Sequence, residues 1–298
     1  MIVILGPTAS GKTKLAVQLA YELDGEIISA DSRQVYRGMD IGTGKDLTEY
    51  LVKGKQIPYH LIDIEDPGYE YNVYEFQQDF LKAYEEIGMR GKLPILCGGS
   101  GLYIESVLNG YRLPKLEPDP ELETMLASKP TEELVDLLNS LRDQHNTTDI
   151  TDRIRLIKAI RIGLLESRVT ERNRKFPEIQ TTTVGVAPPR EILRDRITKR
   201  LHHRLENGMV QEVDRLLASG IREETLKFYG LEYKYITQYL LNQFTYEEMV
   251  VQLNTGIHQF AKRQMTWFRR MERQGIKIHW LDPDASVQEQ VETILRLR

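Results

Sequence analysis

A strand, loop and helix signature near the amino terminus, IVILGPTASGKT, constrains the fold more than any other stretch of the chain. The apolar run Ile2–Leu5 predicts a short buried strand, and the next residues fit the phosphate-loop pattern G-x-x-x-x-G-K-[ST]. Helical spacing follows over 12–23, where Leu15, Leu19 and Leu23 fall on one side. A strand that leads through such a loop into a helix is typical of a parallel α/β sheet.

Strand and helix patterns continue to alternate after this unit. Apolar runs predict strands in EIISAD, YHLIDI, LPILCGGSG and IKIHWLD and over 181–186. Helical spacing is found over 74–90, 102–108 and 287–297 and from about 190 onward. This alternation favours a parallel sheet that is covered by helices on both faces.

The pattern changes after the link NGYRLPKLEPDP, in which prolines and acidic residues predict an exposed turn. The spacing is then helical from about 122 to 165, with no evident strand before residue 181. We therefore predict an α/β fold with a P-loop NTPase-like parallel sheet core. The core comprises residues 1–112 and 181–298 with its C-terminal helices, and a helical insertion over 113–180 interrupts it.

The bulk composition is typical of an ordinary soluble globular protein and favours a cytoplasmic location. No run approaches the roughly 18 apolar residues of a membrane span, and the apolar start has no cationic region before it. The only cysteine, Cys97, lies in an apolar strand pattern and cannot form an internal disulfide, which suits a reducing compartment. We expect no membrane association and a monomer, although no sequence feature determines the oligomeric state.

Positive charge is concentrated in two segments, although the net charge is −4. Residues 151–204 hold 14 Lys/Arg against 6 Asp/Glu, and residues 258–277 hold 6 against 1. Such segments can form one face that attracts a polyanion in an acidic protein. Solvated helix faces explain the same charges equally well.

The phosphate loop, residues 6–13, carries a specific chemical prediction. Gly6 and Gly11 let the backbone curl, so that the N–H groups of the loop, including those of Thr8, Ala9 and Ser10, point at phosphate oxygens. Lys12 supplies a cation, the helix that starts there adds its dipole, and the Thr13 hydroxyl can ligate Mg²⁺. The loop recognises two linked phosphates, so a diphosphate on a tail that is not a nucleotide would satisfy it as well as ATP.

This loop is found most often in ATPases, GTPases and kinases. Such proteins add a Walker-B carboxylate at the end of a strand, for which Asp31 and Asp63 are the candidates. No further feature of the sequence is typical of a site for the base of a nucleotide cofactor. That weighs against the usual interpretation.

The chain resembles the tRNA dimethylallyltransferases over nearly its whole length, least in the insertion. GPTASGKT, ADSRQVYRGMDIGTGK, PYHLIDIEDP, GGSGLYIESVLNGY and FAKRQMTWFRR recur in that order in the family. The resemblance implies transfer of a dimethylallyl group from dimethylallyl diphosphate to N6 of the adenosine just 3′ of the anticodon. It also implies that the loop holds an isoprenoid diphosphate, with Mg²⁺ as the cofactor.

The resemblance assigns catalytic roles to particular residues. Asp31 would be the general base that hydrogen-bonds the adenine amine, while a helix N-cap or an outer-sphere Mg²⁺ contact stays open for it. Ser100, where the family usually has threonine, would keep a hydroxyl for a phosphate or backbone contact. An arginine of REILRDRITKRLHHRL would bind the diphosphate, with Arg200 preferred over Arg196. Tyr103 would line the pocket or pack in the core.

The tRNA anticodon stem-loop is the implied partner. Contacts are expected from Ser32, Arg33 and Gln34, from Arg155 and Lys158 in the insertion, and from Lys262 and Arg263. The family usually has Gln before the arginine and Gly-Tyr after the middle helices, and this chain has Ile154 and Gly230-Leu231. An adenylate isopentenyltransferase acting on AMP, ADP or ATP, a P-loop kinase and a non-catalytic RNA-binding protein are the alternatives.

Overall fold

The computed structural model describes most of the chain. It does not describe the segments directly before and after helix α6, whose range is given below. Elements are numbered in chain order through the described residues. These are residues 1–111, 113, 115–117, 119–141, 153–168 and 176–298. Within 153–168, side chains are described only up to residue 165.

Within these residues, six parallel strands form one sheet in the order β5-β2-β6-β1-β7-β8, which confirms the predicted parallel α/β core. The central strands β1 and β6 carry almost only apolar side chains, because both faces of the sheet are covered. A small antiparallel pair, β3 and β4, stands apart from it. The strands are β1 (Ile2–Leu5), β2 (Gly25–Ala30), β3 (Leu51–Val52), β4 (Lys55–Gln56), β5 (Tyr59–His60), β6 (Leu93–Gly98), β7 (Thr182–Gly185) and β8 (His279–Trp280).

Helices cover the sheet, and their apolar sides face it. The helices of the described residues are α1 (Lys12–Leu23), α2 (Val73–Met89), α3 (Gly101–Leu108), α4 (Pro120–Ser128), α5 (Thr131–Leu141), α6 (Arg153–Arg168), α7 (Arg190–Glu206), α8 (Met209–Ala218), α9 (Glu223–Phe228), α10 (Leu231–Leu240), α11 (Tyr246–Arg273) and α12 (Val287–Leu297). Leu15 of α1 and Val291 of α12 pack with Ile27 and Ile95 of the sheet in the main core. Cys97 is buried in the same core, as the sequence predicts.

The strand predicted in YHLIDI is mostly wrong, because only Tyr59–His60 pairs with the sheet. Leu61 and Asp63 have positive φ angles of 62° and 55°, so the chain turns immediately after β5. The following backbone bonds to the turn that comes after β2, with Asp63 N donating to Gln34 O at 3.1 Å. A turn held by distant backbone groups leaves no mark on local hydrophobic periodicity.

The chain divides into two compact units, Met1–Asn109 with Glu178–Arg298, and Gly110–Pro177. The predicted insertion over 113–180 corresponds closely to the second unit. Its described residues form helices α4, α5 and α6, which share a core that includes Leu126, Leu138 and Leu156. Asp119 caps α4 by accepting a hydrogen bond from Leu122 N at 2.9 Å.

Candidate active site

The strand register brings three loops together at one edge of the sheet. Leu5 lies opposite Gly98, and Gly98 lies opposite Ala30, so β1, β6 and β2 end side by side. The phosphate loop follows β1, the acceptor loop, residues 31–36, follows β2, and the serine loop, residues 99–101, follows β6. Ligands of open α/β sheets bind outside these carboxyl ends.

The phosphate loop has the geometry that its glycines require. Gly11 caps α1 with φ at +92°, a left-handed conformation that a side chain would strain. A Cβ on Gly6 would collide with the carbonyl oxygen of Val186, where the loop passes close to the end of β7. Within the described residues, the hydroxyl of Ser10 is buried and has no hydrogen-bond partner. Because buried hydroxyls are normally paired, this atom fits a phosphate oxygen of a bound ligand.

Two cations reach the phosphate loop. Lys12 Nζ donates to Pro7 O at 3.3 Å, and Arg200 Nη2 donates to Thr8 Oγ1 at 2.6 Å. Burial lowers the pKa of the Lys12 ammonium, and burial followed by the charge of Arg204 lowers the pKa of Arg200 to about 10. Arg200 stays charged at neutral pH, and desolvated cations attract an anion more strongly than hydrated ones.

The three arginines on one face of α7 have different surroundings. Arg196 is exposed, Arg200 is half-buried against the phosphate loop, and Arg204 is 8% exposed. Arg204 Nη2 lies 3.7 Å from Asp46 Oδ2. Arg200 and Arg204 also line a small cavity with Glu232, and burial raises the pKa of that carboxyl. Of Arg196 and Arg200, Arg200 is the one that is hydrogen-bonded to the phosphate loop.

Asp31 directly follows β2 and is half-buried at the start of the acceptor loop. Its Oδ1 accepts a hydrogen bond from Arg33 N at 2.9 Å, which fixes the turn. Ser32 N donates to Ser100 Oγ at 3.1 Å, so the serine hydroxyl joins the serine loop to the acceptor loop. Gln34 donates from Nε2 to Gly44 O at 3.3 Å.

Asp63, the other Walker-B candidate, is occupied elsewhere. The fully buried ammonium of Lys45 pairs with Asp63 and also bonds Asp40 Oδ1 at 2.8 Å and Tyr36 O at 2.6 Å. This network ties the segment after the acceptor loop to the end of β5. Asp31 is therefore the better placed carboxylate for chemistry beside the phosphate loop.

Tyr103 is a core aromatic residue. It is 6% exposed, and its ring stacks on Phe76 with the centroids 4.2 Å apart. Of the two roles that the sequence left open, packing is the one that this contact supports.

Sequence analysis missed Gln264 of α11. It is 7% exposed, and its side chain bonds both Thr8 of the phosphate loop and Gly99 of the serine loop. A signal for it existed, because Ala261, Gln264, Phe268 and Met271 repeat at helical spacing and are buried. A single polar residue on an apolar helix face indicates a specific hydrogen-bond partner.

The residues predicted to contact RNA are spread over several elements. Lys262 and Arg263 are exposed on α11, and the Arg263 guanidinium lies 6.0 Å from the ring centroid of Phe260. Arg33 lies 5.1 Å over the ring of Phe228, which is 49% exposed. In the second unit, Arg155 and Lys158 are exposed on α6.

Two other arginines of α6 bind within the second unit itself. Arg153 donates to Ala127 O at 2.8 Å, and Arg161 pairs with Glu123. Ile154, one of the two departures from the family pattern, is 81% exposed. Leu231, the other departure, begins α10. No helix in the described part of the chain combines the length and the apolar character that crossing a membrane requires.

A glycine-rich loop between a parallel strand and a helix, with Lys12 and Arg200 hydrogen-bonded to it, defines a phosphate-loop α/β protein. A model of the IPP transferase family matches residues 34–271, and an isopentenyl transferase model matches residues 1–62. The chain therefore belongs to the IPP transferase family, which confirms the resemblance that the sequence motifs carry.

Relatives are similar over nearly the full length. The tRNA dimethylallyltransferase 2 of Bacteroides fragilis is 56% identical over 98% of this chain and 95% of its own. That of Phocaeicola vulgatus is 56% identical over 100% of this chain and 97% of its own. The crystal structure of a tRNA isopentenylpyrophosphate transferase from Bacillus halodurans has 33% identity and a TM-score of 0.70, covering 99% of this chain and 98% of its own. A eukaryotic dimethylallyltransferase acting on tRNA has 26% identity and a TM-score of 0.78, covering 95% of this chain and 73% of its own.

Proposed function

We propose that this protein transfers a dimethylallyl group from dimethylallyl diphosphate to N6 of the adenosine 3′-adjacent to the anticodon of tRNA. Membership of the IPP transferase family and relatives named tRNA dimethylallyltransferase support this assignment. The observation that carries it is the position of Asp31, at the same sheet edge as the phosphate loop and one residue before the Ser32–Ser100 bond.

The phosphate loop binds the diphosphate of the prenyl donor in this proposal. The unpaired hydroxyl of Ser10, Lys12 and Arg200 surround the position where negative charge grows as the allylic C–O bond breaks. The expectation that the N–H groups of Thr8 and Ser10 point at phosphate is wrong for this structure, because Thr8 N donates to Gln264 Oε1 and Ser10 N donates to Pro7 O. Donors that are already in place stabilise developing charge without reorganisation. We assign Arg196 no more than a contribution to the long-range field, because it is exposed.

Mg²⁺ fits the same site. Thr13 lies in the first turn of α1 beside Lys12, and its hydroxyl is a hard oxygen donor of the kind that Mg²⁺ accepts. A magnesium ion usually keeps several waters and takes further ligands from substrate phosphates, so Thr13 would be one ligand beside the waters and the diphosphate oxygens. When bound, the ion would neutralise charge on the diphosphate.

Asp31 acts as the general base. The N6 nitrogen forms a bond to the allylic carbon, the C–O bond breaks with its electron pair on the diphosphate, and the N6 proton passes to Asp31. The amine of adenine is a weak nucleophile, so an oriented carboxylate contributes to the rate. The Arg33 N–H and the Ser32–Ser100 bond hold the loop that carries this carboxylate.

Recognition of the tRNA anticodon stem-loop would use the half-buried Arg33 and four exposed basic residues. Phosphate contacts position an RNA, while exposed aromatic rings such as Phe228 and Phe260 can stack on unpaired bases. Ser32 and Gln34 lie on the acceptor loop, where the target base would enter. We expect the reaction to take place in the cytoplasm and the enzyme to act as a monomer. The basic residues proposed for RNA are Arg33, Arg155, Lys158, Lys262 and Arg263.

The test uses labelled dimethylallyl diphosphate with total tRNA in one tube and AMP in another. Wild type should label tRNA, and Asp31→Asn should slow the transfer by roughly 10²–10⁴-fold. Asp24→Asn is the matched control, because Asp24 is an exposed carboxylate just before the opposite end of the same strand. Labelling of AMP alone would support the adenylate isopentenyltransferase. An Asp31→Asn rate above about a tenth of wild type would exclude Asp31 as the base.

A further inference from the structure

One side-chain amide joins two loops of the active site. Gln264 lies on α11, far from both loops in sequence, and it is 7% exposed. Its Oε1 accepts a hydrogen bond from Thr8 N at 2.9 Å, and its Nε2 donates to Gly99 O at 2.9 Å. We propose that Gln264 is a positioning residue that sets the phosphate loop against the acceptor loop for prenyl transfer. This inference rests on the proposed function.

The chemistry of the two partners determines the orientation of the amide. Thr8 N–H can only donate and Gly99 C=O can only accept, so a flipped Gln264 would face two like groups. Space restricts it further, because a Cβ on Gly99 would lie 2.5 Å from Gln264 Nε2. The serine loop therefore needs glycine at this position for the amide to approach.

The amide is the central link in a chain of contacts across the site. On the donor side, Thr8 Oγ1 accepts the hydrogen bond of Arg200, the cation proposed to bind the diphosphate. On the acceptor side, Gly99 precedes Ser100, whose hydroxyl accepts from Ser32 N, the residue after the proposed base. Gln264 thus couples the position of the leaving group to the position of the carboxylate.

Prenyl transfer depends on that relative position. The attacking nitrogen, the allylic carbon and the leaving oxygen must align, and a misplacement of about 1 Å can cost roughly 10²-fold in rate. Gln264 Oε1 already uses the N–H of Thr8, so its contribution lies in holding the loop instead of binding the substrate. Loss of the amide should therefore slow transfer more than it weakens either substrate.

Gln264→Met is the direct test, because methionine has nearly the same length and neither amide group. We expect kcat for tRNA prenylation to fall by roughly 10²-fold, while KM for both substrates changes by less than about 3-fold. Gln290→Met is the matched control. Gln290 is 8% exposed on α12, and it donates to Asp282 O at 2.9 Å, a carbonyl outside the three loops. This control should keep the wild-type kcat.

Hydrogen exchange supplies a second measurement that does not require turnover. The Thr8 amide should exchange slowly in wild type, and at least about tenfold faster in Gln264→Met. Gln264→Asn, one methylene shorter, can keep only one of the two bonds and should lose kcat with the same split from KM. It replaces the methionine variant if that variant fails to fold.

A kcat for the Gln264 variants within about 3-fold of wild type would overturn the inference, and so would a Thr8 amide that exchanges equally fast in wild type and variant. A rise in KM for dimethylallyl diphosphate at unchanged kcat would also overturn it, because Gln264 would then serve binding alone. If wild type fails to prenylate tRNA, the proposed function is wrong, and the Thr8 exchange still decides whether the amide holds the loop.

Discussion

The carboxylate of Glu212 holds the segment after the acceptor loop, and replacing it with glutamine should loosen that segment measurably. Glu212 lies on α8 and is 2% exposed. Its Oε2 accepts from Asp40 N at 2.9 Å and from Ile41 N at 2.7 Å. Its Oε1 accepts from Gly42 N at 3.0 Å and from Tyr233 Oη at 2.7 Å. One buried carboxylate thus satisfies four donors.

The size of the effect follows from these four bonds. In Glu212→Gln the amide nitrogen should take the Oε1 position, because the Tyr233 hydroxyl can rotate to accept while the Gly42 N–H cannot. A hydrogen bond to a charged group contributes about 1.5–3 kcal/mol, and the bond from Gly42 N is lost. The bonds from Asp40 N and Ile41 N remain but become weaker, because their acceptor is now neutral. We expect a total loss of about 3 kcal/mol in the free energy of unfolding. Tyr233→Phe, the control, removes only one bond to this carboxylate and should cost about 1.5 kcal/mol, because the three backbone donors stay paired with Glu212.

Thermal melting and hydrogen exchange measure this prediction. About 3 kcal/mol corresponds to a fall in Tm of roughly 6–12 °C, and the amides of residues 40–42 should exchange faster than in Tyr233→Phe. Because Gln34 bonds Gly44 O in the same segment, KM for tRNA should rise while binding of dimethylallyl diphosphate stays unchanged. A loss below about 1 kcal/mol, or unchanged exchange at residues 40–42, would refute the reasoning.

Other expectations concern the cations, the RNA and pH. Arg200→Met should weaken dimethylallyl diphosphate binding roughly 10–100-fold in calorimetry, and the exposed Arg196→Met by less than about 3-fold. Dimethylallyl diphosphate with Mg²⁺ should raise the Tm more than ATP at equal concentration; the reverse would favour a kinase. Lys158→Glu should lower tRNA affinity and its salt dependence, but leave diphosphate binding unchanged. The hydrogen bond from Arg90 lowers the pKa of the buried Glu26 carboxyl, so its stabilisation is present at neutral pH. The Tm gap between wild type and Glu26→Gln should therefore be full at pH 7 and shrink as the pH falls below about 4; a gap independent of pH would contradict this.

Local patterns were sufficient to predict the phosphate loop, the stretches that form the main strands and the position of Asp31 at the end of one of them. The curl of the loop depends on glycines at Gly6 and Gly11, and their spacing from Lys12 is a property of the chain itself. Because the strands are parallel, their carboxyl ends share an edge, so the residues after β1, β2 and β6 had to meet. The family resemblance then supplied the roles that periodicity alone does not contain.

The sequence by itself therefore determined the α/β core, the phosphate loop and the carboxylate beside it, since backbone conformation and hydrophobic spacing are encoded within short stretches. Only the tertiary structure decided which polar side chains meet across long stretches of chain. Asp63 was the second Walker-B candidate beside Asp31, and only the structure shows that Lys45 pairs with it. In the sequence, Gln264 and Glu212 look like ordinary helix residues. In the structure, their side chains pair with backbone groups of loops that lie more than 160 residues away along the chain. Such partners are selected by the cost of burying an unpaired polar group, and that cost arises only when the fold has closed around them.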